Sequence, residues 1–385
     1  MLLSKRASAN PESGIREMFD RARHYSNVIN LGIGEPDYPT PDIIIESAIN
    51  ALQKGLTKYT PNAGILELRE AVMYKLFTEN RLKGTGEDNI IVTTGASEAI
   101  ILSLFALTDP GDEVIVPVPC WPNYIGQITL AGLKPVPVET FKKDRFHIRC
   151  DSLKEAISPK TKAIIINSPS NPTGAVLSID ELEQIGRIAK ENKLMIISDE
   201  PYEKLVYDEK THFSIGAIDG MNGNVLTVNS FSKTYSMTGW RVGYIHGPKS
   251  IISKMAKLQE NLSSCVNAPS QYACVKALAV SSGEIDKMRA SYLQRRKMIV
   301  EGLNSLPGVS CLWPEGAFYV FPDVSELGRN SREIAFEWLD KCQVVTVPGS
   351  AFGSAGEGFL RLSFASGEKS INDAIERIRS FLEQG

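Results

Sequence analysis

Lys233 stands in the run SFSKTYSMTGWRVG at 230–243, directly after the β-branched stretch 225–229. A lysine amine attacks a carbonyl only when neutral, which requires desolvation or cationic neighbours to lower its pKa, and a strand-end pocket shared with Arg241 supplies both. A lone lysine is ordinarily a solvated surface charge, and Ser-x-Ser-Lys alone does not decide between the two. A second group of residues, SDEPY at 198–202, closes the apolar run 194–198. Asp199 there has the chemistry to keep a pyridine nitrogen protonated, which turns such a ring into an electron sink, while Glu200 supports the turn. Magnesium binding by the Asp-Glu pair is the competing reading. It wants a phosphate-cradling G-x-x-x-x-G-K-[ST] loop, and the sequence has none.

TTGASE at 93–98 joins the run 90–94 to a helical pattern over 97–107. Small residues at a helix start present N–H groups and the positive end of the helix dipole to an anion, so Gly95, Ala96 and Ser97 form a candidate phosphate site. A plain tight turn with Ser97 capping its own helix fits equally well at this point. In NSPSNPTG at 167–174, prolines and a glycine stiffen a loop that projects Asn171. WPNY at 121–124 offers the face of Trp121 to a flat ring, although a tryptophan is more often core. In FLRLSFA at 359–365, Arg361 alternates with apolar neighbours as in a buried strand, and a buried guanidinium needs an anion.

Six β-branched runs, 90–94, 113–117, 163–167, 194–198, 225–229 and 242–246, read as buried strands. Helical spacing lies at 41–53, 97–107 and 179–192, the last opened by Ser178 as N-cap with Asp180 and Glu181 in its first turn. Alternation of this kind predicts an α/β fold with a mostly parallel sheet covered on both faces, whose ligands sit beyond the carboxyl ends of the strands. From Lys287 the pattern changes to a long charged helix, strands at 311–323 and 344–347, and a closing amphipathic helix near 372–382. A smaller α+β lobe is expected there, with the chemistry in the cleft between the lobes.

At 385 residues the chain is long enough for two lobes, and 43% hydrophobic with 23% charged residues is ordinary globular composition. A net charge of −3 without basic blocks points away from nucleic acid and anionic membranes and towards small molecules. Six cysteines without a C-x-x-C pair suit a reducing cytoplasm, and His24, His147, His212 and His246 lack metal-ligand spacing, so no metal is expected. MLLSKRASANPESG at the N-terminus has no apolar secretory stretch, and the apolar run 99–107 is too short to span a bilayer.

Taken together, these motifs resemble the class I/II aminotransferases of the pyridoxal-phosphate superfamily with the aspartate aminotransferase fold (fold type I). Further matching stretches are NLGIGEPD at 30–37, YTPNAG at 59–64, PEGAF at 314–318 and PGSAFG at 348–353, so the resemblance covers nearly the whole chain. It implies pyridoxal 5'-phosphate as cofactor, with Lys233 as the Schiff-base lysine and proton shuttle, Asp199 on the ring nitrogen, Asn171 and Tyr202 on the phenolic oxygen, and Trp121 stacked on the ring. Gly95, Ala96, Ser97, Ser230 and Arg241 would hold the phosphate. Arg361 would clamp the substrate α-carboxylate, Gly34 would line the substrate side, and Tyr59 would reach the phosphate of the neighbouring subunit in a homodimer. The implied division is an N-terminal segment, 1–40, packing with the small domain, a large cofactor-binding domain, 41–286, and a small C-terminal domain, 287–385. The implied reaction is ping-pong transamination between an L-amino acid and 2-oxoglutarate, with aspartate ahead of aromatic amino acids and alanine. Some aspartate-type members that resemble this chain carry a lysine where Ser97 stands, whereas WPN at 121–123 resembles the same stretch in other aspartate aminotransferases. A C–S β-lyase needs the same lysine and aspartate. A cofactor-sensing regulator would add a DNA-binding domain, for which the sequence before Asn30 is too short.

Overall fold

The structure, a computed structural model, describes residues 4, 7–8, 14–280 and 282–383, so most of the stretch 1–14 lies outside the described residues. The strands in chain order are β1 (Ile29–Asn30), β2 (Ile90–Thr93), β3 (Glu113–Val118), β4 (Lys134–Glu139), β5 (Thr161–Asn167), β6 (Met195–Asp199), β7 (Val225–Ser230), β8 (Gly243–His246), β9 (Tyr319–Val320), β10 (Val344–Val345), β11 (Val347–Pro348) and β12 (Leu360–Ser363). Seven of them form one sheet in the order β2-β8-β7-β6-β5-β3-β4. Within it only β8 runs against its neighbours, so the sheet is mixed but mostly parallel.

The β-branched runs form strands because both faces of this sheet are buried and successive side chains point to opposite faces. Ile164 and Ile166 of β5 pack with Leu182, Ile185 and Ile188 from the helix Ile179–Glu191. Ala163 and Ile165 of the same strand face the other layer, with Ile100 and Leu104 from the helix Gly95–Leu107 and Met255 from the helix Lys249–Leu262. Each such aliphatic side chain, fully buried, contributes about 1.5–3 kcal/mol. Ser178 caps its helix as expected, accepting from the Glu181 N–H within a reciprocal capping box.

The strand β4 is absent from the sequence reading because Pro135 and Pro137 interrupt its apolar run. Proline is tolerated there because β4 is an edge strand paired only with β3. The expected strand at 311–323 is corrected: only β9 pairs in a sheet, while 314–316 pack against the 169–174 loop. A Cβ on Gly316 would lie 2.7 Å from the Pro169 Cβ, and both the Glu315 and Gly316 N–H groups donate to the Gly174 carbonyl at 2.9 and 2.8 Å. The run 344–347 divides between β10 and β11, which enter different sheets.

Antiparallel β11-β12-β9 and the helices Ser282–Asn304, Ser331–Cys342 and Glu368–Leu382 carry a second core around Trp338, Phe318, Phe364 and Ile375. The N-terminal segment packs with this core: β1 pairs in parallel with β10, and Met18 and Leu31 are buried in the cluster. No helix among the described residues is long and apolar enough to cross a membrane, and all six cysteines are free.

Candidate active site

Three neighbouring strands of the large sheet deliver their carboxyl ends to one cavity of about 280 Å³. Register places Asn167, the last residue of β5, beside Asp199, the last of β6. The Asn167 amide ties the two ends together, donating through Nδ2 to the Asp199 carbonyl at 2.9 Å and accepting through Oδ1 from the Asn171 N–H at 2.8 Å. One residue beyond β7, a single helical turn, Phe231–Thr234, is capped by the Ser230 hydroxyl, which accepts from the Ser232 N–H at 3.1 Å. That turn presents Lys233 to the cavity.

The Lys233 amine donates to the Gly34 carbonyl at 2.5 Å. Desolvation, reinforced by Arg361 and Arg241 against the opposing charges of Glu35 and Asp199, lowers its pKa to about 8, bringing the neutral amine within reach of ordinary pH. Asp199 is 3% exposed, and burial pushes its carboxyl up to about 7, partly offset by a hydrogen bond from Tyr124. Tyr124 Oη donates to Asp199 Oδ2 at 2.5 Å, while Oδ1 is buried without a hydrogen-bond partner. A buried carboxylate oxygen left in this way costs folding energy unless a ligand cation or N–H meets it.

Arg361 in β12 is 2% exposed and has no carboxylate partner among the described residues. Its Nη1 donates to Asn171 Oδ1 at 3.1 Å, its Nη2 to the Gly32 carbonyl at 2.6 Å, and its Nε has no partner. The guanidinium lies over the rings of Tyr319 and Phe352, 4.6 and 5.0 Å from their centroids, and burial lowers its pKa. Arg361 can only donate, so Asn171 must turn its oxygen towards it, which leaves the Asn171 NH₂ as the donor on its other side. Tyr202 is buried, its hydroxyl 2.9 Å from that of Tyr319, and burial raises its pKa well above the ordinary range.

At the opposite end, the helix Gly95–Leu107 points its N-terminus at the cavity, where Ala96 and Ser97 line the wall beside Ser230 and Arg241. Arg241 sits in the left-handed region at φ 56° after the turn Thr238–Trp240, a conformation uncommon for residues other than glycine. Gly95 has φ 73°, where a side chain is strained, and a Cβ there would lie 2.6 Å from Arg241 Nη2 and push the guanidinium aside. The result is a helix N-terminus, a hydroxyl and a guanidinium on one cradle, which is anion-binding chemistry.

Of the residues singled out from sequence, Gly34, Ala96, Ser97, Trp121, Asn171, Asp199, Tyr202, Ser230, Lys233, Arg241 and Arg361 line this cavity. Gly95 lies behind Arg241, and Tyr59 is 92% exposed outside the cavity wall. The sequence reading missed Ile15, Tyr124, Asn167, Pro201, Ser232 and Tyr319 as lining residues. Tyr124 and Tyr319 were within reach, since Tyr124 falls one helical turn after Trp121 and Tyr319 directly follows PEGAF. Ile15 carries no local signal. Behind the cavity, Glu200 accepts from Ser198, Ser214 and His212 at 2.7, 2.9 and 3.0 Å, and Glu203 pairs with Lys75 and Asn80. Glu200, Glu203 and His212 converge within 4.8 Å, a grouping invisible from spacing alone, but their carboxylates are already engaged.

A planar ring with a basic nitrogen and a phosphate, the group implied by the resemblance, fits this donor set: an unpartnered buried carboxylate oxygen, a desolvated amine and an anion cradle share one cavity. The family model described as "Aminotransferase class I and II" matches residues 26–378. An aspartate aminotransferase of Pyrococcus abyssi is 43% identical over 100% of this chain and 99% of its own. An aromatic-amino-acid aminotransferase of Thermococcus litoralis is 42% identical with the same coverage. The structure of Thermus thermophilus aspartate aminotransferase with maleate superposes at a TM-score of 0.95, with 38% identity over 99% of this chain and 100% of that one.

Proposed function

The chain belongs to the class I and II aminotransferases, a pyridoxal-phosphate-dependent family, and from that premise we propose that it exchanges the amino group of an L-amino acid, aspartate first, with 2-oxoglutarate in two ping-pong half-reactions. The observation that carries the reading is that Lys233, Asp199 and Arg361 line one cavity, the amine with its pKa lowered by burial and Asp199 Oδ1 and Arg361 Nε buried without a hydrogen-bond partner. When bound, the cofactor supplies an electron sink for the pair left at the substrate Cα.

Lys233 would hold the cofactor through its neutral Nζ and would serve as the base that moves the Cα proton. Asp199 would hold the ring nitrogen, the Asn171 NH₂ and the Tyr202 hydroxyl would hold the phenolic oxygen, and Trp121 would offer its face to the ring. Gly95, Ala96, Ser97, Ser230 and Arg241 bind the phosphate. Tyr59, 92% exposed, is free to reach the same phosphate in a second copy, so the reading includes a homodimer. Arg361 clamps the α-carboxylate with the fork that now donates to Asn171 and Gly32, and Gly34 lines the substrate side. A Cβ at Gly34 would lie 2.5 Å from the Tyr319 hydroxyl, so only glycine leaves this wall open. The lobe division 1–40, 41–286 and 287–385 belongs to the same reading and is supported by β1 pairing with β10, as does a cytoplasmic location.

Two relatives support different substrates: maleate, a dicarboxylate, occupies the Thermus structure, whereas the Thermococcus relative is named for aromatic amino acids. The deciding experiment compares kcat/KM for aspartate, phenylalanine and alanine with 2-oxoglutarate as acceptor. Aspartate should lead, and a higher value for phenylalanine or alanine overturns the assignment. Release of pyruvate and ammonia from cystathionine in place of transamination would point to a C–S lyase.

A further inference from the structure

Tyr124 occupies the first turn of the helix Pro122–Leu130, whose entry is fixed by Trp121 at the N-cap and Pro122 at the first helical position. It is 1% exposed, and its ring meets Trp121 edge-on with centroids 5.4 Å apart. The helix therefore delivers two side chains to the cavity together, an aromatic face and, one turn on, a phenol. That phenol donates to Asp199 Oδ2 at 2.5 Å.

Asp199 has conflicting neighbours. Burial and the adjacent Glu200 favour its neutral acid, whereas Lys233 and the Tyr124 hydrogen bond favour its anion. The Glu200 carboxylate is itself held by Ser198, Ser214 and His212. Tyr124 cannot answer by ionising, because burial and Asp199 raise its own pKa well above the ordinary range. Its hydroxyl keeps its proton and serves Asp199 only as a donor.

We propose that Tyr124 is a positioning residue for ring-nitrogen protonation: by donating to Oδ2 it keeps Asp199 anionic, so that the proton between Asp199 and a bound pyridine nitrogen rests on the nitrogen. This rests on the role given to Asp199 above. Without the phenol, the carboxylate loses its only side-chain donor among the described residues. The proton then passes to the carboxyl group and the ring loses its positive charge. No bond other than O–H and N–H changes, and one proton is conserved.

Tyr124→Phe keeps the ring against Trp121 and removes only the donor. The test is the nitrogen-15 NMR shift of pyridoxal phosphate labelled at the ring nitrogen, bound to the parent protein, Tyr124→Phe and Asp199→Ala. The parent should show a protonated nitrogen and Asp199→Ala an unprotonated one, with Tyr124→Phe displaced towards the latter at neutral pH. Cofactor affinity of Tyr124→Phe should fall about tenfold or more, as expected for a lost hydrogen bond to a charged group. A Tyr124→Phe shift identical to the parent's overturns the proposal while leaving Asp199's role intact. A protonated nitrogen in Asp199→Ala removes that role and the proposal with it. In the cofactor-free protein, the infrared carboxylic-acid band that vanishes in Asp199→Asn should titrate at higher pH in Tyr124→Phe, and an unchanged midpoint counts equally against the coupling.

Discussion

Asn171 and Arg361 meet across the cleft, the guanidinium Nη1 donating to the amide Oδ1 at 3.1 Å between residues 190 positions apart in the chain. One contact therefore joins the loop after β5 to strand β12, and on the proposed role of Arg361 would fix both side chains ahead of a substrate carboxylate. Pre-organisation of this kind is what a planar, bidentate clamp requires.

Arg361→Lys keeps the charge but not the fork. The KM for the amino acid should rise about 10- to 100-fold, the value of a charge-assisted hydrogen bond, in steady-state kinetics. Unchanged KM would mean that the α-carboxylate is held elsewhere.

Lys233→Ala should lower turnover by about 10³-fold or more, the scale of a lost general base. Borohydride reduction of the parent protein followed by peptide mass spectrometry should leave the cofactor mass on the Lys233 peptide. Because the Lys233 pKa is lowered to about 8, the rate of cofactor capture by the cofactor-free protein should rise through that pH. A midpoint at the ordinary lysine value of about 10.4 would contradict the desolvated amine.

In the cofactor-free protein Asp199 retains its proton up to about pH 7, whereas the unfolded chain loses it near 3.8. The native state thus binds more protons between these values, and stability should fall as pH rises from about 4 to 7, by an amount on the order of a few kcal/mol. Urea denaturation of the parent and of Asp199→Asn at several pH values checks this, with the variant flatter across the window.

His147 bridges Glu181 Oε1 at 2.7 Å and Glu315 Oε2 at 3.5 Å, and these hydrogen bonds raise its pKa to about 9. The bridge joins the helix Ile179–Glu191 to the PEGAF segment. Its contribution should be complete below the unfolded value of 6.5 and disappear as pH passes 9. His147→Gln should therefore lose stability at pH 6 and match the parent at pH 10 in thermal melts; equal curves at both would remove the bridge from the account.

Much of this arrangement was legible in the sequence because the chemistry sits at strand ends, and strands buried on both faces announce themselves as aliphatic runs. Asp199 directly follows such a run, and Lys233 and Asn171 each stand four residues beyond one. Residues contributed from the sides were harder to read. Ile15 reaches the cavity only because the N-terminal segment is anchored on the far core, packing with Val347 and Phe352, and no local pattern encodes that approach. At 311–323 most apolar residues are buried, as a strand's would be, but 314–316 pack on a proline-rich loop and Phe318 lies in the second core, with only β9 paired in a sheet. Local pattern reports burial there and not pairing. The helices Leu66–Thr78, Lys249–Leu262 and Ala268–Ala277 also escaped notice. The first and last have little amphipathic contrast, because the first exposes Leu66, Tyr74 and Phe77 and buries Lys75, and the last buries Ser270 and Gln271.

The carbonyls of Gly32 and Gly34 bear on the order in which the protein is built. The first accepts from Arg361, 329 residues later, and the second from Lys233. Both belong to a segment anchored by β1, whose partner β10 leaves the ribosome near the end of synthesis. The large sheet has all its strands once residue 246 has emerged, so its core can condense while translation continues. The contacts of Arg361 and Lys233 with these two carbonyls must wait, so on the proposed roles a nascent chain would acquire a place for the cofactor before a place for the amino acid.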